Sequence, residues 1–134
     1  LMPQGVALKI QLPVLPAIIQ ADLHRLTQVI TNLINNAAKF TTQGYILIKY
    51  DYTQDKRWIQ ISVTDTGKGI PADKQAQVFE RFNKLDEFAQ GTGLGLAICQ
   101  IIIEHFGGYI TLESKEGEGS TFIVTLPYTP GLSV

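Results

Sequence analysis

Leu23, Leu26, Val29, Ile30, Leu33, Ile34, Ala37 and Phe40 recur at intervals of three and four, which confines their side chains to one stripe of a long helix. A helix with a single apolar stripe is marginal in water until that stripe lies on another surface. The matching surface comes from segments of period two. Val6, Leu8, Ile10 and Leu12 alternate with Ala7, Lys9 and Gln11, and Pro13 and Pro16 close that strand. Tyr45 to Tyr52 and Trp58 to Asp65 flank the polar turn Thr53 to Lys56, and Tyr109 to Glu113 and Thr121 to Leu126 flank Lys115 to Gly119, so each pair predicts a hairpin. Asp22 is the expected N-cap of the long helix. Pro71 is expected as the first residue of a short helix running toward Phe82, and Leu94 to Phe106 as a second long helix stopped by Gly107-Gly108. Strands in hairpins with helices between them define an α+β class: a two-layer sandwich with a mixed, mostly antiparallel sheet and about three helices on one face. Residues 1–127 form one expected domain and residues 128–134 a frayed tail.

Composition narrows the function classes. The chain has 134 residues, 11 Lys and Arg against 12 Asp and Glu, and 45% apolar residues, which suits one globular domain with its own core. A net charge of -1 argues against a nucleic-acid binder, which carries a basic face. Cys99 is the single cysteine; it allows no internal disulfide and no zinc ligand set, and it favours a reducing, cytoplasmic setting. No apolar run reaches the roughly 18 residues that span a bilayer, so no direct membrane insertion is expected. Leu1 ahead of Met2 points to a segment excised from a longer chain.

Three places carry candidate chemistry. Ile59, Ile61 and Val63 are the inward positions of their strand, and the same parity aims Asp65 at the core. There it needs a donor, a cation or a ligand group, unless the strand has already ended and Asp65 caps the turn at Gly67. On the long helix Asn32 and Asn36 stack one turn apart with Lys39 following; asparagine is a poor helix former, and amide oxygens are hard ligands suited to Mg²⁺. Polar residues on an exposed helix face are the plain alternative. Gly91, Gly93 and Gly95 precede the second long helix, where backbone N–H groups can approach a phosphate, although a flexible linker has the same look. Gly67-x-Gly69-x-x-Ala72 fits a dinucleotide fingerprint only in letters, since no parallel strand returns after the short helix, and a P-loop Lys-Ser/Thr is missing from the second cluster.

Taken together, these segments resemble the catalytic ATP-binding domain of sensor histidine kinases, within the superfamily of gyrase-type and heat-shock-chaperone ATPases and its Bergerat-type fold. Asn32-Leu-Ile-Asn-Asn36-Ala-Ala-Lys39-Phe40-Thr41 resembles the N box, Asp65-Thr-Gly67-Lys-Gly69-Ile70 the first glycine box, Val78-Phe79-Glu-Arg-Phe82 the F box, and Gly91-Thr-Gly93-Leu-Gly95-Leu96 the second glycine box. The likeness runs from the first strand to Leu126-Pro127.

That resemblance implies roles. Asp65 would accept a hydrogen bond from the adenine amino group, where guanine offers only an acceptor. Asn36 would ligate Mg²⁺, Asn32 would support that end of the site, Lys39 would contact phosphate, and Phe40 and Ile70 would wall the base beside Gly67 and Gly69. Gly91, Thr92, Gly93, Leu94, Gly95 and Leu96 would wrap the phosphates under a lid of residues 83–90, and Thr121 would reach adenine through water. Lys84 stands where many relatives have Arg, and it would neutralise a phosphate without clamping it. The implied partners are ATP, a separate domain bearing the phospho-accepting histidine, and indirectly a response regulator whose aspartate receives the phosphoryl group. His24 and His105 lack the acceptor's acidic context and are expected to be structural or surface residues. Asn32 replaces the water-activating glutamate of the superfamily's hydrolases, so slow hydrolysis is implied. An ATPase of the same fold used for conformational switching, or a docking module that binds no nucleotide, are the rival readings.

Overall fold

The structure is a computed structural model that describes residues 5–11, 23–55, 57–79 and 95–127. Its elements in chain order are β1 (Val6–Gln11), α1 (Leu23–Phe40), β2 (Gly44–Tyr52), β3 (Trp58–Asp65), α2 (Ala72–Gln75), α3 (Leu96–His105), β4 (Tyr109–Lys115) and β5 (Gly119–Pro127). Asp22, Leu12 and the tail lie outside the described residues.

Among the described residues one five-stranded sheet has the order β1-β2-β3-β5-β4. β2–β3 and β4–β5 are the two expected hairpins, and β3 and β5 pair antiparallel at the centre. Among the described strands β1 pairs parallel, with β2, because a helix separates the two and returns the chain to the same end of the sheet. The sheet is therefore mixed, as expected.

The apolar stripe of α1 meets the inward positions of the sheet. Val29 and Leu33 are fully buried, and they join Ile46, Ile59, Val63, Phe122, Val124 and Leu126 in one core cluster. Each such side chain contributes about 1.5–3 kcal/mol on burial. α3 adds Leu96, Cys99 and Ile103 to the same core, and it stops in a Schellman arrangement. Gly107 N–H bonds the Glu104 carbonyl at 2.9 Å and Gly108 N–H bonds the Ile103 carbonyl at 3.0 Å. Gly107 has φ +85°, and a side chain on Gly108 would overlap the Thr125 carbonyl. Ile98 and Ile101 face outward on α3.

Several element boundaries differ from the sequence expectations; α3 runs Leu96–His105 rather than Leu94 to Phe106, because Gly95 is its extended N-cap and Phe106 its C-cap. Pro71 is the N-cap of α2 rather than its first residue, since its ψ of 143° is extended, and its carbonyl accepts the Lys74 N–H at 2.9 Å. That helix ends after four residues, and the chain turns so that Val78 is fully buried and Phe79 meets Phe122 edge-on at 6.0 Å. The β4–β5 ladder continues past its apolar residues to the pair Lys115 and Gly119, leaving a turn of only 116–118. Hydrogen bonding, which apolar alternation does not report, carries that extension.

Candidate functional site

Asp65 ends β3 with both expectations met at once. It lies 6% exposed on the helix-facing side, paired with Ile46 on β2 and Ser120 on β5, and its Oδ1 accepts the Gly67 N–H at 2.9 Å. Burial pushes its carboxyl above the usual carboxylate range, while hydrogen bonds from the Gly67 and Ser120 backbone N–H groups pull the other way. A carboxylate has about four lone-pair sites, so two donors leave it able to accept another.

The loop that follows is clasped on three sides. A side chain on Gly67 would overlap the Phe40 carbonyl at the end of α1, and one on Gly69, whose φ is +71°, would overlap the Lys115 carbonyl. Gly117 N–H bonds the Lys68 carbonyl at 2.7 Å, and Ile70 N–H bonds Ser114 Oγ at 2.8 Å. Gln75 on α2 donates through Nε2 to the carbonyls of both Ile70 and Ser114 at 2.9 Å. Ser114 Oγ and Ser120 Oγ are 2.8 Å apart. Lys68 Nζ sits 4.8 Å from the centre of the Phe40 ring, a cation–π contact across the mouth of the loop. Phe40 and Ile70 are both half-buried.

α1 turns Asn32 and Asn36 inward and leaves Asn35 half-buried. Asn32 is 2% and Asn36 6% exposed, so the exposed-face alternative fails for both. Lys39 is exposed in the last turn of the helix, where a cation suits the dipole. Thr41 Oγ1 donates to the Ala37 carbonyl at 2.8 Å and ends the helix. Asn32 Nδ2 donates to Cys99 Sγ on α3 at 3.3 Å, whereas Asn32 Oδ1 is buried without a hydrogen-bond partner.

Thr121 is not on the Asp65 side of the sheet. Its Oγ1 lies 3.0 Å from Thr64 Oγ1, and both line an open hollow of about 310 Å³ to which Asp65, Ser120, Glu113 and Glu118 also contribute. Successive strand residues face opposite ways, so the β5 neighbour of Asp65 on the helix-facing side is Ser120. Counting back from the inward Phe122, Val124 and Leu126 carries that signal in the sequence. Gln75, Ser114 and Cys99 were also missed; nothing in residue spacing couples them to the glycine box or the N box. Gly95 is the extended N-cap of α3, with its carbonyl accepting the Cys99 N–H at 3.2 Å, and the Leu96 side chain belongs to the core. Lys84, Gly91, Thr92, Gly93 and Leu94 lie outside the described residues. His24 and His105 are exposed. Among the described residues no three His, Cys, Asp or Glu side chains gather as a metal site, and no helix is long and apolar enough to cross a membrane.

An acidic strand end, a clasped glycine loop and inward amides on the neighbouring helix thus belong to one two-layer sandwich. Residues 21–130 match the family described as histidine kinase-, DNA gyrase B- and HSP90-like ATPase, and the chain belongs to that family. It is 44% identical over 115 residues to the circadian input-output histidine kinase CikA of Synechococcus elongatus, covering 82% of this chain and 15% of the relative. It is 46% identical over 111 residues to the sensor protein SrrB of Staphylococcus aureus, covering 79% of this chain and 19% of the relative. The chain thus spans less than a fifth of the length of these relatives. Among solved structures, full-length ShkA in complex with AMPPNP superposes with TM-score 0.83 at 31% identity, covering 96% of this chain and 27% of that one. The nucleotide-free catalytic domain of histidine kinase ThkA superposes with TM-score 0.78 at 32% identity, covering 94% and 82%. The chain is an ATPase domain of histidine-kinase type.

Proposed function

We propose that the chain is the catalytic domain of a sensor histidine kinase, binding ATP and Mg²⁺ and delivering the γ-phosphoryl group to a histidine on a separate domain, from which an aspartate of a response regulator receives it. The observation that carries the reading is the buried carboxylate of Asp65 at the end of β3, backed by a loop whose glycines admit no side chain. Asp65 accepts the adenine amino N–H, and Ser120, the β5 side chain on its face, takes the water-bridged contact expected earlier of Thr121. Phe40 and Ile70 wall the base, with Gln75 and Ser114 fixing the backbone of Ile70.

The metal end fits hard oxygen ligation. Asn32 offers a buried orphan amide oxygen, and Asn36 stands one turn away on the same helix. Mg²⁺ bound there would neutralise charge on the phosphates. Asn36 holds it, Asn32 supports it, and Lys39, Lys84 and the 91–96 glycine box hold phosphate oxygens. No nucleophile is needed from this chain, so its part is positioning and charge neutralisation. Asn32 cannot take a proton from water as a glutamate would, which preserves the γ-phosphoryl group for the histidine.

Titration calorimetry with ATP and GTP tests this reading. ATP is expected to bind in the presence of Mg²⁺ and GTP at least about tenfold more weakly, about 1.4 kcal/mol. Equal affinities would remove Asp65 from base recognition, and steady phosphate release by the chain alone would favour an ATPase instead.

A further inference from the structure

We propose that Cys99 is a positioning residue for the metal end of the site: its sulfur orients the Asn32 carboxamide so that the oxygen, rather than the amide nitrogen, is presented to the ligand. The proposal rests on the metal reading above and adds a residue that none of the four sequence boxes contains.

The carboxamide is planar, with oxygen and nitrogen at opposite ends. Its nitrogen is anchored on Cys99 Sγ at 3.3 Å, between two helices and 67 positions apart in sequence, so the oxygen is turned away from the sulfur. Asn32 is 2% and Cys99 0% exposed, so water does not compete for this contact. The oxygen has no partner, and an unsatisfied buried acceptor costs about 1–3 kcal/mol. A ligand that supplies a cation or a donor removes that cost. With the group turned over, an NH₂ would face the same place and repel a cation. Cys99 combines two properties at its core position: it packs as a small apolar residue, and it still accepts a hydrogen bond. Valine there would keep the packing and lose the acceptor. A serine in a helix donates its hydroxyl to the carbonyl four residues back, here Gly95, which leaves its oxygen to accept from Asn32.

The test uses the 134-residue chain with its natural Cys99, Cys99→Val and Cys99→Ser, and measures the gain in ATP affinity that Mg²⁺ brings over EDTA. The ratio cancels any change in the folded fraction. Cys99→Val is expected to cut the gain at least about fivefold, and Cys99→Ser to keep it within about twofold, about 0.4 kcal/mol. A purely structural role predicts an unchanged gain in both variants, because the cost of a buried hydroxyl or a lost contact falls on the folded fraction, which the ratio cancels. In the ligand-free chain, the Asn32 side-chain amide protons are expected to exchange slowly with Cys or Ser at position 99 and faster with Val. An undiminished Mg²⁺ gain in Cys99→Val, or equal losses in Val and Ser, overturns the proposal alone. No Mg²⁺ gain in the unsubstituted chain overturns the metal reading itself, and the role of Cys99 with it.

Discussion

Asp65 is held where a carboxyl is poorly solvated, and the stability of the chain should register it. Burial raises its folded-state proton affinity above that of the unfolded chain. The native state therefore binds the proton more tightly, and the stability this brings is complete at pH below the ordinary carboxylate value and lost as pH rises through the raised one. Asp65→Asn removes that titration. Thermal unfolding over a pH series is expected to show the variant at least as stable as the parent at neutral pH, with the difference shrinking toward acid. Its ATP affinity is expected to fall at least about 100-fold, about 2.7 kcal/mol, consistent with a lost hydrogen bond to a charged group. Loss of stability at neutral pH with retained ATP binding would mean that Asp65 is a turn cap and nothing more. Asn36→Ala is expected to weaken Mg²⁺-ATP severalfold more than metal-free ATP by calorimetry; equal losses would deny it the metal.

At the scale of elements, the loop 66–70 depends on its neighbours more than on its own residues. Gly69→Ala puts a Cβ against the Lys115 carbonyl at a φ of +71°, and backbone strain of this kind costs about 1–3 kcal/mol. Chemical denaturation should show that loss, and ATP affinity should fall with it because the wall at Ile70 moves. Periodicity made α1, β2 and β3 legible in the sequence, since an apolar stripe on one helix and alternation along two strands each admit one orientation. The inward aim of Asp65 is legible by the same parity, whereas the residue beside it on β5 is Ser120 rather than the expected Thr121. What periodicity did not carry was register and reach: the extension of β4 and β5 past their apolar residues, the early end of α2 where Val78 and Phe79 turn into the core, and the Ser114–Gln75 clasp. The clasp depends on hydrogen bonds between residues 39 and 44 positions apart, the strand extension on ladder bonding up to Lys115 and Gly119, and the end of α2 on burial of Val78, none of which local apolar patterning reports.

The whole molecule is two layers that share one core, with the site at the end of the sheet where α1, the loop 66–70 and the β4–β5 turn converge. Leu33 stands fully buried between the layers, so Leu33→Ala is expected to cost about 2–5 kcal/mol in denaturant unfolding. A cost under about 1 kcal/mol would show that the layers are not packed through α1. The chain spans 15% of the length of CikA and 19% of that of SrrB, and the function proposed above assigns the accepting histidine to a separate domain. A crystal structure with a non-hydrolysable ATP analogue and Mg²⁺ would decide whether the carboxylate closing β3 reads adenine while Asn36 on α1 holds the metal: the adenine amino group is expected within hydrogen-bond distance of Asp65 and the ion on Asn36, and a base seated elsewhere, or an ion that no α1 amide touches, would overturn both assignments.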